Sequence, residues 1–408
     1  MKCRHCNSDV SLTFVDLGSA PPSNAYLTET TLHAPEKWFP LRVLVCEQCR
    51  LVQTEDFSRA EELFDTDYAY FSSFSTSWLA HSEQYTVEVM QRFSLDASSH
   101  VVEIAANDGY LLQFFMDRGV PCTGVEPTAS TAAAAREKGI PVIEDFFGAR
   151  LASKMAQENR QPDLMIANNV LAHVPDINDF VKGFATLLKP QGVATFEFPY
   201  LLNLINANQF DTIYHEHFSY LSLTAVEHIF TANGLSVFDV EELATHGGSL
   251  RVYAQRVDGG QREVGLSIKA LLKKESDAGI DDNALYSGFQ ERADKAKNDF
   301  LAFLVEAKRL GKKVAAYGAA AKGNTLLNFA GVRPDLISFV ADRNPAKQGN
   351  FMPGSRVPIT AESEISLAKP AYVVILPWNL RDEITQQLDY IRSWSGQFVT
   401  AIPALEIS

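Results

Sequence analysis

The part of the sequence richest in reactive side chains is residues 214–220, which read Tyr-His-Glu-His-Phe-Ser-Tyr. Two imidazoles, a carboxylate and two phenols so close together are costly to bury without a purpose, because each polar group then needs a partner. An imidazole is well suited to accept a proton near neutral pH, and phenols donate hydrogen bonds to a developing oxyanion. The segment therefore predicts removal of a proton next to a carbonyl group.

A turn of small and polar residues at 245–249 adds to this chemistry and precedes a predicted strand at 250–253. Carbon methylation requires this combination, since a base must remove a proton and donors must hold the enolate oxygen. The alternatives are a surface loop with chance histidines, or a metal bound by His215 and His217 on one strand face. The candidate substrate-binding residues are His215, His246, Gly247 and Ser249 of these two segments, and Tyr200, which lies before the first of them.

Four of the five cysteines form two Cys-x-x-Cys pairs, Cys3/Cys6 and Cys46/Cys49. Two such pairs suit a tetrahedral four-sulfur site, for which zinc is the usual metal. Four protein ligands leave no open coordination position, so the predicted Zn²⁺ is structural rather than catalytic. His5 is an alternative ligand.

From residue 99 onward, apolar strands alternate with helical segments, which is typical of a parallel α/β sheet. The predicted strands are 101–105, 123–126, 141–146, 164–168 and 193–198. A nucleotide ligand of such a sheet lies beyond the carboxyl ends of the strands. We therefore expect the cofactor-binding residues at these ends, namely Glu103, Ala105, Asn107, Asp108, Gly109, Glu126, Asp145, Phe146 and Asn168.

Three strand ends indicate how a nucleotide would be held. The turn 105–109 consists of small and polar residues, so a ligand can approach it closely. Glu126 is placed to accept both hydroxyls of a ribose, while Asp145 and Phe146 offer a carboxylate and a ring to an adenine. The alternative is that Glu103, Glu126 and Asp145 are solvated loop acids. The sequence has no GxGxxG dinucleotide fingerprint, which argues against a nicotinamide enzyme.

A second α/β pattern occupies the C-terminal part of the chain, with predicted strands at 313–317, 337–340 and 372–376. The turn 318–324 leads from the first of these strands into a helix. Such a turn suits a phosphate group, and a purely structural turn is the alternative. The candidate ligand-binding residues here are Lys322, Asn324, Asp342 and Lys347.

The overall composition excludes several classes of protein. Hydrophobic residues make up 46% and charged residues 21%, as in ordinary globular proteins. A net charge of −14 argues against a nucleic-acid partner, and no apolar run reaches the roughly 18 residues of a membrane span. No apolar leader follows Met1, so we expect a cytoplasmic protein with reduced thiols, either a monomer or a homodimer.

The turn after the first central strand resembles the glycine-rich loop of the S-adenosylmethionine-dependent class I methyltransferases, Glu/Asp-x-Gly-x-Gly-x-Gly. The matching positions are Glu103, Ala105, Asn107 and Gly109, so two glycines are replaced. The whole chain resembles the sugar C-methyltransferase family, which includes the C-3′ methyltransferase of tetronitrose formation. The matching segments are the cysteine pairs, 103–112, 214–217, 246–249 and 317–324.

This resemblance implies methyl transfer from S-adenosylmethionine to C3 of a nucleotide-linked 4-keto-6-deoxysugar, with dTDP as the expected nucleotide. It implies that His217 removes the C3 proton, that Tyr214 and Glu216 line the site, and that Tyr68 or Tyr70 approaches the sugar. The C-terminal turn would then hold the diphosphate or the base. The alternatives are C5 methylation, an O- or N-methyltransferase for another small acceptor, and a non-catalytic zinc-ribbon interaction protein.

We therefore expect an α/β protein with an N-terminal zinc-binding module, a central class I methyltransferase Rossmann-like domain and a second, C-terminal Rossmann-like domain. The expected boundaries are 1–60 for the zinc-binding module, 61–98 for a helical linker that contributes to the active site, 99–258 for the S-adenosylmethionine-binding domain, 259–310 for a helical connection, and 311–408 for the sugar-nucleotide-binding domain.

Overall fold

The computed structural model describes residues 1–55 and 72–408. Its N-terminal module contains the two Cys-x-x-Cys turns and the strands β1 (Leu12–Ala20), β2 (Phe39–Val45) and β3 (Val52–Thr54). Strand β2 pairs antiparallel with both of the others, so the three form a small sheet.

The central part of the chain forms a seven-stranded sheet in the order β6-β5-β4-β7-β8-β11-β10. Its strands are β4 (Val101–Ile104), β5 (Cys122–Val125), β6 (Val142–Ile143), β7 (Leu164–Asn168), β8 (Val193–Pro199), β10 (Leu235–Leu243) and β11 (Ser249–Arg256), with β9 (Ser219–Tyr220) lying elsewhere. Strand β11 pairs antiparallel with β8, whereas the five strands from β6 to β8 are parallel. The chain winds in opposite directions from β4, so its carboxyl end is the point where a ligand is expected.

Helices cover the sheet on both sides, which explains why every residue of β4 and of β7 is buried. The helices are α1 (Thr76–Phe93), α2 (Leu112–Asp117), α3 (Ala129–Glu137), α4 (Ala149–Gln157), α5 (Ile177–Leu187), α6 (Leu201–Asn206) and α7 (Leu223–Ala232). Helix α1 begins where the side chain of Ser75 accepts a hydrogen bond from the backbone of Trp78, an N-cap that fixes its first turn.

Strand β9 completes the N-terminal sheet rather than the central one, because it pairs antiparallel with β3. It follows directly on residues 214–218, and Phe218 also bonds through its backbone to Thr54. The side-chain hydroxyl of Thr54 donates to the carbonyl of His217. The N-terminal module therefore holds the predicted catalytic segment in place.

The C-terminal part begins with α8 (Leu266–Ala278), α9 (Asn283–Ser287) and α10 (Phe289–Arg309) and continues as a six-stranded sheet in the order β14-β13-β12-β15-β16-β17. Its elements are β12 (Val314–Tyr317), α11 (Ala321–Phe329), β13 (Val340–Ala341), β14 (Ile359–Thr360), α12 (Ser363–Ala368), β15 (Tyr372–Ile375), α13 (Arg381–Gln387), β16 (Gln397–Thr400) and β17 (Glu406–Ile407). The strand predicted at 337–340 is shorter than expected, because the amides of Leu336 and Ile337 bond back to the carbonyl of Arg333 in a turn.

The N-terminal module, α10 and the C-terminal sheet share one hydrophobic core. Phe14 of β1 stacks on Phe289 of α10 with ring centroids 4.4 Å apart, and Leu27 pairs through its backbone with Phe351. The first strands of the chain are thus packed against residues that lie some 300 positions later. Among the described residues, no helix combines the length and apolar character required to cross a bilayer.

Candidate active site

The turn that follows β4 has the backbone of a glycine-rich loop, although only one of its residues is glycine. Ala105, Asn107 and Gly109 have φ angles of +54°, +50° and +75°. A left-handed backbone strains a residue that has a Cβ atom, and glycine escapes this strain. The three positions are the ones at which the glycine-rich loop carries glycine, so the backbone conformation is retained without the glycines.

Replacement of Ala105 by Gly is expected to raise the free energy of unfolding by about 0.4–1 kcal/mol, because glycine relieves the left-handed strain. The neighbouring Ala106 is fully buried and has no positive φ, so Ala106→Gly is the matched control and is expected to destabilise the protein. Urea unfolding of both variants measures the difference. Equal destabilisation by the two changes would contradict the assignment of strain to Ala105.

Two buried carboxylates lie beside this turn. Glu126, just after β5, accepts hydrogen bonds from the backbone amides of Asn107 and Thr128, both at 2.9 Å. Burial raises its pKa against the effect of these hydrogen bonds. Burial also raises the pKa of Glu103 well above its usual value, while the Tyr110 hydroxyl opposes the shift. Glu126 thus ties the end of β5 to the turn, where it borders the place expected for a ribose.

The side chains of Asn107 and Asp108 hold the start of the linker helix rather than lining an open cleft. Asn107 Oδ1 accepts the amide of Ser72 at 3.0 Å, and Asp108 Oδ2 accepts that of Ser73 at 3.3 Å. The turn and the segment before α1 are therefore coupled. Tyr68 and Tyr70, predicted to approach the sugar, lie outside the described residues.

The other predicted cofactor residues also lie at strand ends. Asp145, after β6, forms an ion pair of 2.7 Å with Arg150, and Phe146 beside it is 51% exposed. Asn168 ends β7 and is buried. An exposed aromatic ring and a carboxylate next to it are able to contact a flat heterocycle at this edge.

The hydrogen bonds of His217 determine its tautomer. Its Nδ1 lies 2.9 Å from the carbonyl oxygen of Thr212, and a carbonyl only accepts, so Nδ1 carries the proton. Nε2 is then an acceptor, and it takes a hydrogen bond of 2.8 Å from the hydroxyl of Tyr214. Burial lowers the pKa of His217 well below its usual value. The ring is therefore neutral, and its unprotonated Nε2 is directed at a phenol.

A further histidine, which the sequence analysis did not single out, packs against this pair. His173 lies in the short 3₁₀ helix Leu171–His173 after β7, and its ring centroid is 4.6 Å from that of His217. Its Nδ1 donates to the carbonyl oxygen of Glu216 at 2.8 Å. Burial lowers the pKa of His173 to about 4, so it is neutral. Its position close behind a strand end was the one signal available in the sequence.

Glu216 is held by the N-terminal module. Its Oε1 accepts a hydrogen bond of 3.2 Å from the side-chain amide of Asn24. Oε2 is buried and has no hydrogen-bond partner among residues 1–55 and 72–408. Burial is the main reason that the pKa of Glu216 rises to about 7. The carboxyl group thus exchanges its proton in the physiological range and is able to act as a donor or an acceptor.

Two residues predicted to bind substrate face other parts of the protein. His215 directs Nε2 at the carbonyl oxygens of Phe39 and Pro40, at 3.3 and 3.2 Å, so it secures the N-terminal sheet. The alternative of a metal between His215 and His217 is disfavoured by this divergence. The ring of Tyr200 is buried in the core, and the charge of the buried Glu275, together with burial, raises the pKa of its hydroxyl.

The turn at 245–249 contacts both the end of β7 and Trp378 of the C-terminal part. His246 has a φ of +55°, and its Nε2 lies 3.2 Å from Nδ2 of Asn169, so it accepts a hydrogen bond there. Ser249 donates to the carbonyl of Thr245 at 3.0 Å and closes the turn. A Cβ atom at Gly247 would lie 2.5 Å from the ring of Trp378, which explains the glycine at this contact.

The predicted C-terminal ligand residues have different surroundings. Asp342 accepts the amides of Ala319 and Asn344 at 2.7 and 2.8 Å, and Lys347 donates to the carbonyl of Ala319 at 2.8 Å. Their side chains therefore brace the turn 318–320 from within. The carboxylate of Asp342 already occupies an amide that a phosphate would need.

Lys322 and Asn324 lie on α11. The ammonium group of Lys322 donates to Asn379 at 2.7 Å and lies 4.8 Å from the ring centroid of Trp378. Burial is the main reason that the pKa values of His217 and His246 are low, and the positive charge of Lys322 contributes to lowering both. Asn324 is buried, and its Nδ2 has no hydrogen-bond partner among the described residues.

A buried ion-pair network supports the carboxyl edge of the sheet, and sequence reasoning missed it. Glu197 of β8 contacts Arg251 of β11 at 2.8 Å and His81 of α1 at 3.0 Å, and Thr245 donates to it at 2.9 Å. The interactions with His81 and Arg251 outweigh burial and lower the pKa of Glu197 to about 2. The partners lie on four separate segments, so no local pattern indicates them.

The four cysteines of the N-terminal module converge as predicted. Their sulfur atoms lie within 4.8 Å of one another, with Cys3–Cys49 and Cys6–Cys46 separations of 3.5 Å. Tetrahedral zinc with bonds of about 2.3 Å sets sulfur atoms about 3.8 Å apart, so the cluster fits this metal. Both turns are followed by a left-handed residue, Asn7 and Arg50, and therefore have matching geometry.

Comparison with known proteins agrees with this architecture. A methyltransferase domain model matches residues 78–240, a zinc binding domain model matches 3–64, and a C-methyltransferase C-terminal domain model matches 244–403. With its strand order and the turn after β4, the chain is a methyltransferase of the S-adenosylmethionine-dependent class.

The C-methyltransferase NovU of Streptomyces niveus is 33% identical over 402 residues, which cover 98% of this chain and 95% of that protein. The chain therefore belongs to the C-methyltransferase family, as its motifs predicted. Ubiquinone biosynthesis O-methyltransferase of Stutzerimonas stutzeri is 28% identical over 24% of this chain and 44% of its own length. The structure of magnesium protoporphyrin IX methyltransferase from Synechocystis covers 44% of this chain and 83% of that chain, with 16% identity and a TM-score of 0.36.

Proposed function

We propose that this C-methyltransferase transfers a methyl group from S-adenosylmethionine to C3 of a nucleotide-linked 4-keto-6-deoxysugar, with dTDP as the first nucleotide to test. The observation that carries the proposal is the Tyr214–His217 pair, in which Nδ1 of a neutral imidazole carries the proton and Nε2 is left free of a proton, as an acceptor in a buried site. O- and N-methylation of an acidic acceptor need no such base, whereas a carbon acceptor must first lose a proton.

His217 and the residues around it have different roles in the proposed proton removal. In the proposed reaction, the C3–H bond breaks, Nε2 takes the proton, and the electron pair forms the enolate of the C4 ketone. The Tyr214 hydroxyl turns from Nε2 to the enolate oxygen, and the carboxyl group of Glu216 is the second donor to it. His173 holds the backbone of Glu216 and keeps the pair aligned.

The methyl donor is proposed to lie beyond β4 and β5. The backbone of the turn 105–109 would approach it, Glu126 would accept the ribose hydroxyls, and Asp145 and Phe146 would contact the adenine. S-adenosylmethionine supplies a methyl group bound to a positively charged sulfur, which is the electrophile that an enolate carbon requires. The residues at hand fit this ligand because the two carboxylates and the exposed ring follow one another along the sheet edge.

The sugar nucleotide is proposed to enter between the central and C-terminal sheets. Lys322 is the candidate for its diphosphate, since its ammonium group lies beside Trp378, which contacts the turn at 245–249, whereas Asp342 and Lys347 are assigned to bracing the turn 318–320. The cysteine cluster of the N-terminal module is proposed to hold structural Zn²⁺, because four thiolates would fill the coordination sphere of the metal.

The direct test offers the enzyme labelled S-adenosylmethionine with dTDP-, GDP- and CDP-linked 4-keto-6-deoxysugars and locates the new methyl group by carbon NMR. We expect a carbon-bound methyl at C3 and, without the methyl donor, enzyme-dependent exchange of the C3 proton in deuterium oxide. A methyl group found at C5 would show that the proton is removed from C5 rather than from C3. A methyl on oxygen, with no exchange at carbon, would overturn the role of His217.

A further inference from the structure

A cluster of aromatic and amide side chains lies at the carboxyl end of β7. Trp78, in the first turn of α1, is half-buried, and its ring centroid lies 5.0 Å from that of His246 and 5.9 Å from that of Tyr110. Tyr110 directly follows the turn after β4, and His246 belongs to the turn at 245–249. Trp78 therefore contacts residues at both turns.

The position of this indole is fixed from several sides. Its ring stacks on that of His81 with centroids 5.0 Å apart and planes at 25°. His81 is itself held by Glu197 of the sheet. The start of α1 is anchored through Ser72 and Ser73 to the turn after β4. Such support is typical of a ligand-contacting ring that must keep one orientation.

Two amide oxygens at the carboxyl end of β7 lack hydrogen-bond partners among the described residues. Oδ1 of Asn168 and Oδ1 of Asn169 are buried and accept no hydrogen bond from any described residue, and Asn168 is 8% exposed. The amide of Asn169 is oriented by its Nδ2, which donates to His246. A buried acceptor without a partner calls for one from outside the chain, such as a water molecule or a ligand. Each of these oxygens is the negative end of an amide dipole and would attract a positively charged group.

The electrostatics of the cluster favour a positively charged ligand. The face of an indole carries negative potential and attracts cations. His246 does not oppose this, because burial, with a contribution from the positive charge of Lys322, lowers its pKa to about 4 and the ring is neutral. The ammonium group of Lys322 itself is held by Asn379 and lies against the ring of Trp378. The nearby carboxylate of Glu197 is neutralised by Arg251, so no anion competes as a counter-charge. The site is therefore suited to a cation that must remain reactive rather than form an ion pair.

The order of the strands indicates which part of the methyl donor reaches the cluster. Its adenosine is placed over β5 and β6 by Glu126 and Phe146, so the remainder must extend across β4 toward β7. We propose that Trp78, together with the amide oxygens of Asn168 and Asn169, binds the sulfonium centre of S-adenosylmethionine through its positive charge. This inference rests on the proposed function, since it takes S-adenosylmethionine as the donor.

The test compares the affinities of S-adenosylmethionine and of S-adenosylhomocysteine, the neutral thioether of the same shape, by calorimetry on the full-length protein. Trp78→Leu is expected to lower the affinity for S-adenosylmethionine by about 2- to 30-fold and to keep the affinity for S-adenosylhomocysteine within about twofold of the wild-type value. Trp78→Phe, which keeps a weaker aromatic face, is expected to lie between Trp78→Leu and the wild type. Trp38→Leu, at a ring that is 41% exposed in the N-terminal module, is the control and should change neither affinity.

Asn169→Asp is a second variant that does not remove the indole. A carboxylate in place of the amide is expected to raise the preference for S-adenosylmethionine over S-adenosylhomocysteine, because it adds negative charge beside the sulfonium. If Trp78→Leu lowered both affinities equally and Asn169→Asp did not increase the preference for S-adenosylmethionine, the role of Trp78 would be overturned and the proposed function would stand. Failure of the wild-type protein to bind S-adenosylmethionine would overturn the proposed donor as well.

Discussion

Replacement of His217 by Asn is expected to reduce methyl transfer by about 10²- to 10⁴-fold, the range by which a positioned general base accelerates a reaction. An asparagine amide is still able to donate to the carbonyl of Thr212, so the local fold is kept, but it offers no basic nitrogen. Exchange of the C3 proton in deuterium oxide should fall by the same factor. Because the ring lies outside the proposed donor site, the affinity for S-adenosylmethionine should stay within about twofold, which is less than 0.5 kcal/mol.

His215→Asn is the matched control for this prediction. The side chain is two positions away and is buried to a similar degree, yet it faces the carbonyl oxygens of Phe39 and Pro40. Its loss is expected to lower the thermal unfolding midpoint and to leave proton exchange at C3 intact. Survival of methyl transfer in His217→Asn at a rate near that of the wild type would show that another group is the base. Tyr214 would then be the first candidate.

The second large effect is expected at the cysteine cluster. Cys46→Ser removes one of four ligands, and a structural zinc site contributes about 10–16 kcal/mol in isolated finger peptides, comparable to the total stability of a domain. The N-terminal sheet should therefore lose its fold, and the pairing of β3 with β9 should be lost with it. Methyl transfer is then expected to be abolished, although the metal lies outside the reaction itself.

The measurements for Cys46→Ser are zinc content per chain, thermal unfolding and methyl transfer, each compared with those of Cys122→Ser. Cys122 is a buried cysteine of β5 outside the cluster, so its replacement should leave one zinc per chain and retain activity. A Cys46→Ser protein that keeps both its metal and its turnover would contradict the structural role of the cluster.

Features written in a short stretch of sequence were the predictable ones. The Cys-x-x-Cys pairs, the turn after β4 and the segment 214–217 each carry their chemistry in a few neighbouring residues, and the strand β7 was predicted at its observed bounds. The left-handed backbone at Ala105 and Asn107 could not be predicted, because neither residue is a glycine. A missing glycine gives no sign that its conformation has been kept.

What could not be predicted depends on pairs that are distant in the chain. Asn24 and Glu216 are 192 positions apart, and His81 and Glu197 are 116 apart, so neither pair leaves a spacing to recognise. Asp342 looked like a ligand residue because it follows a strand, whereas the fold turns its carboxylate onto the amide of Ala319. Whether such a carboxylate binds a ligand or a backbone amide depends on how the strands and turns pack, which the sequence does not show.

The backbone pairing of Leu27 with Phe351 has a consequence for how the protein is made on the ribosome. The strands near the N-terminus emerge first, but the surface that covers them is synthesised about 300 residues later, on the order of 15 to 60 seconds at ordinary elongation rates. During that interval an apolar sheet face is open to solvent and to other nascent chains. Co-expression of a chaperone that binds nascent chains, or growth at low temperature, should therefore improve the yield of folded enzyme more than stronger expression does.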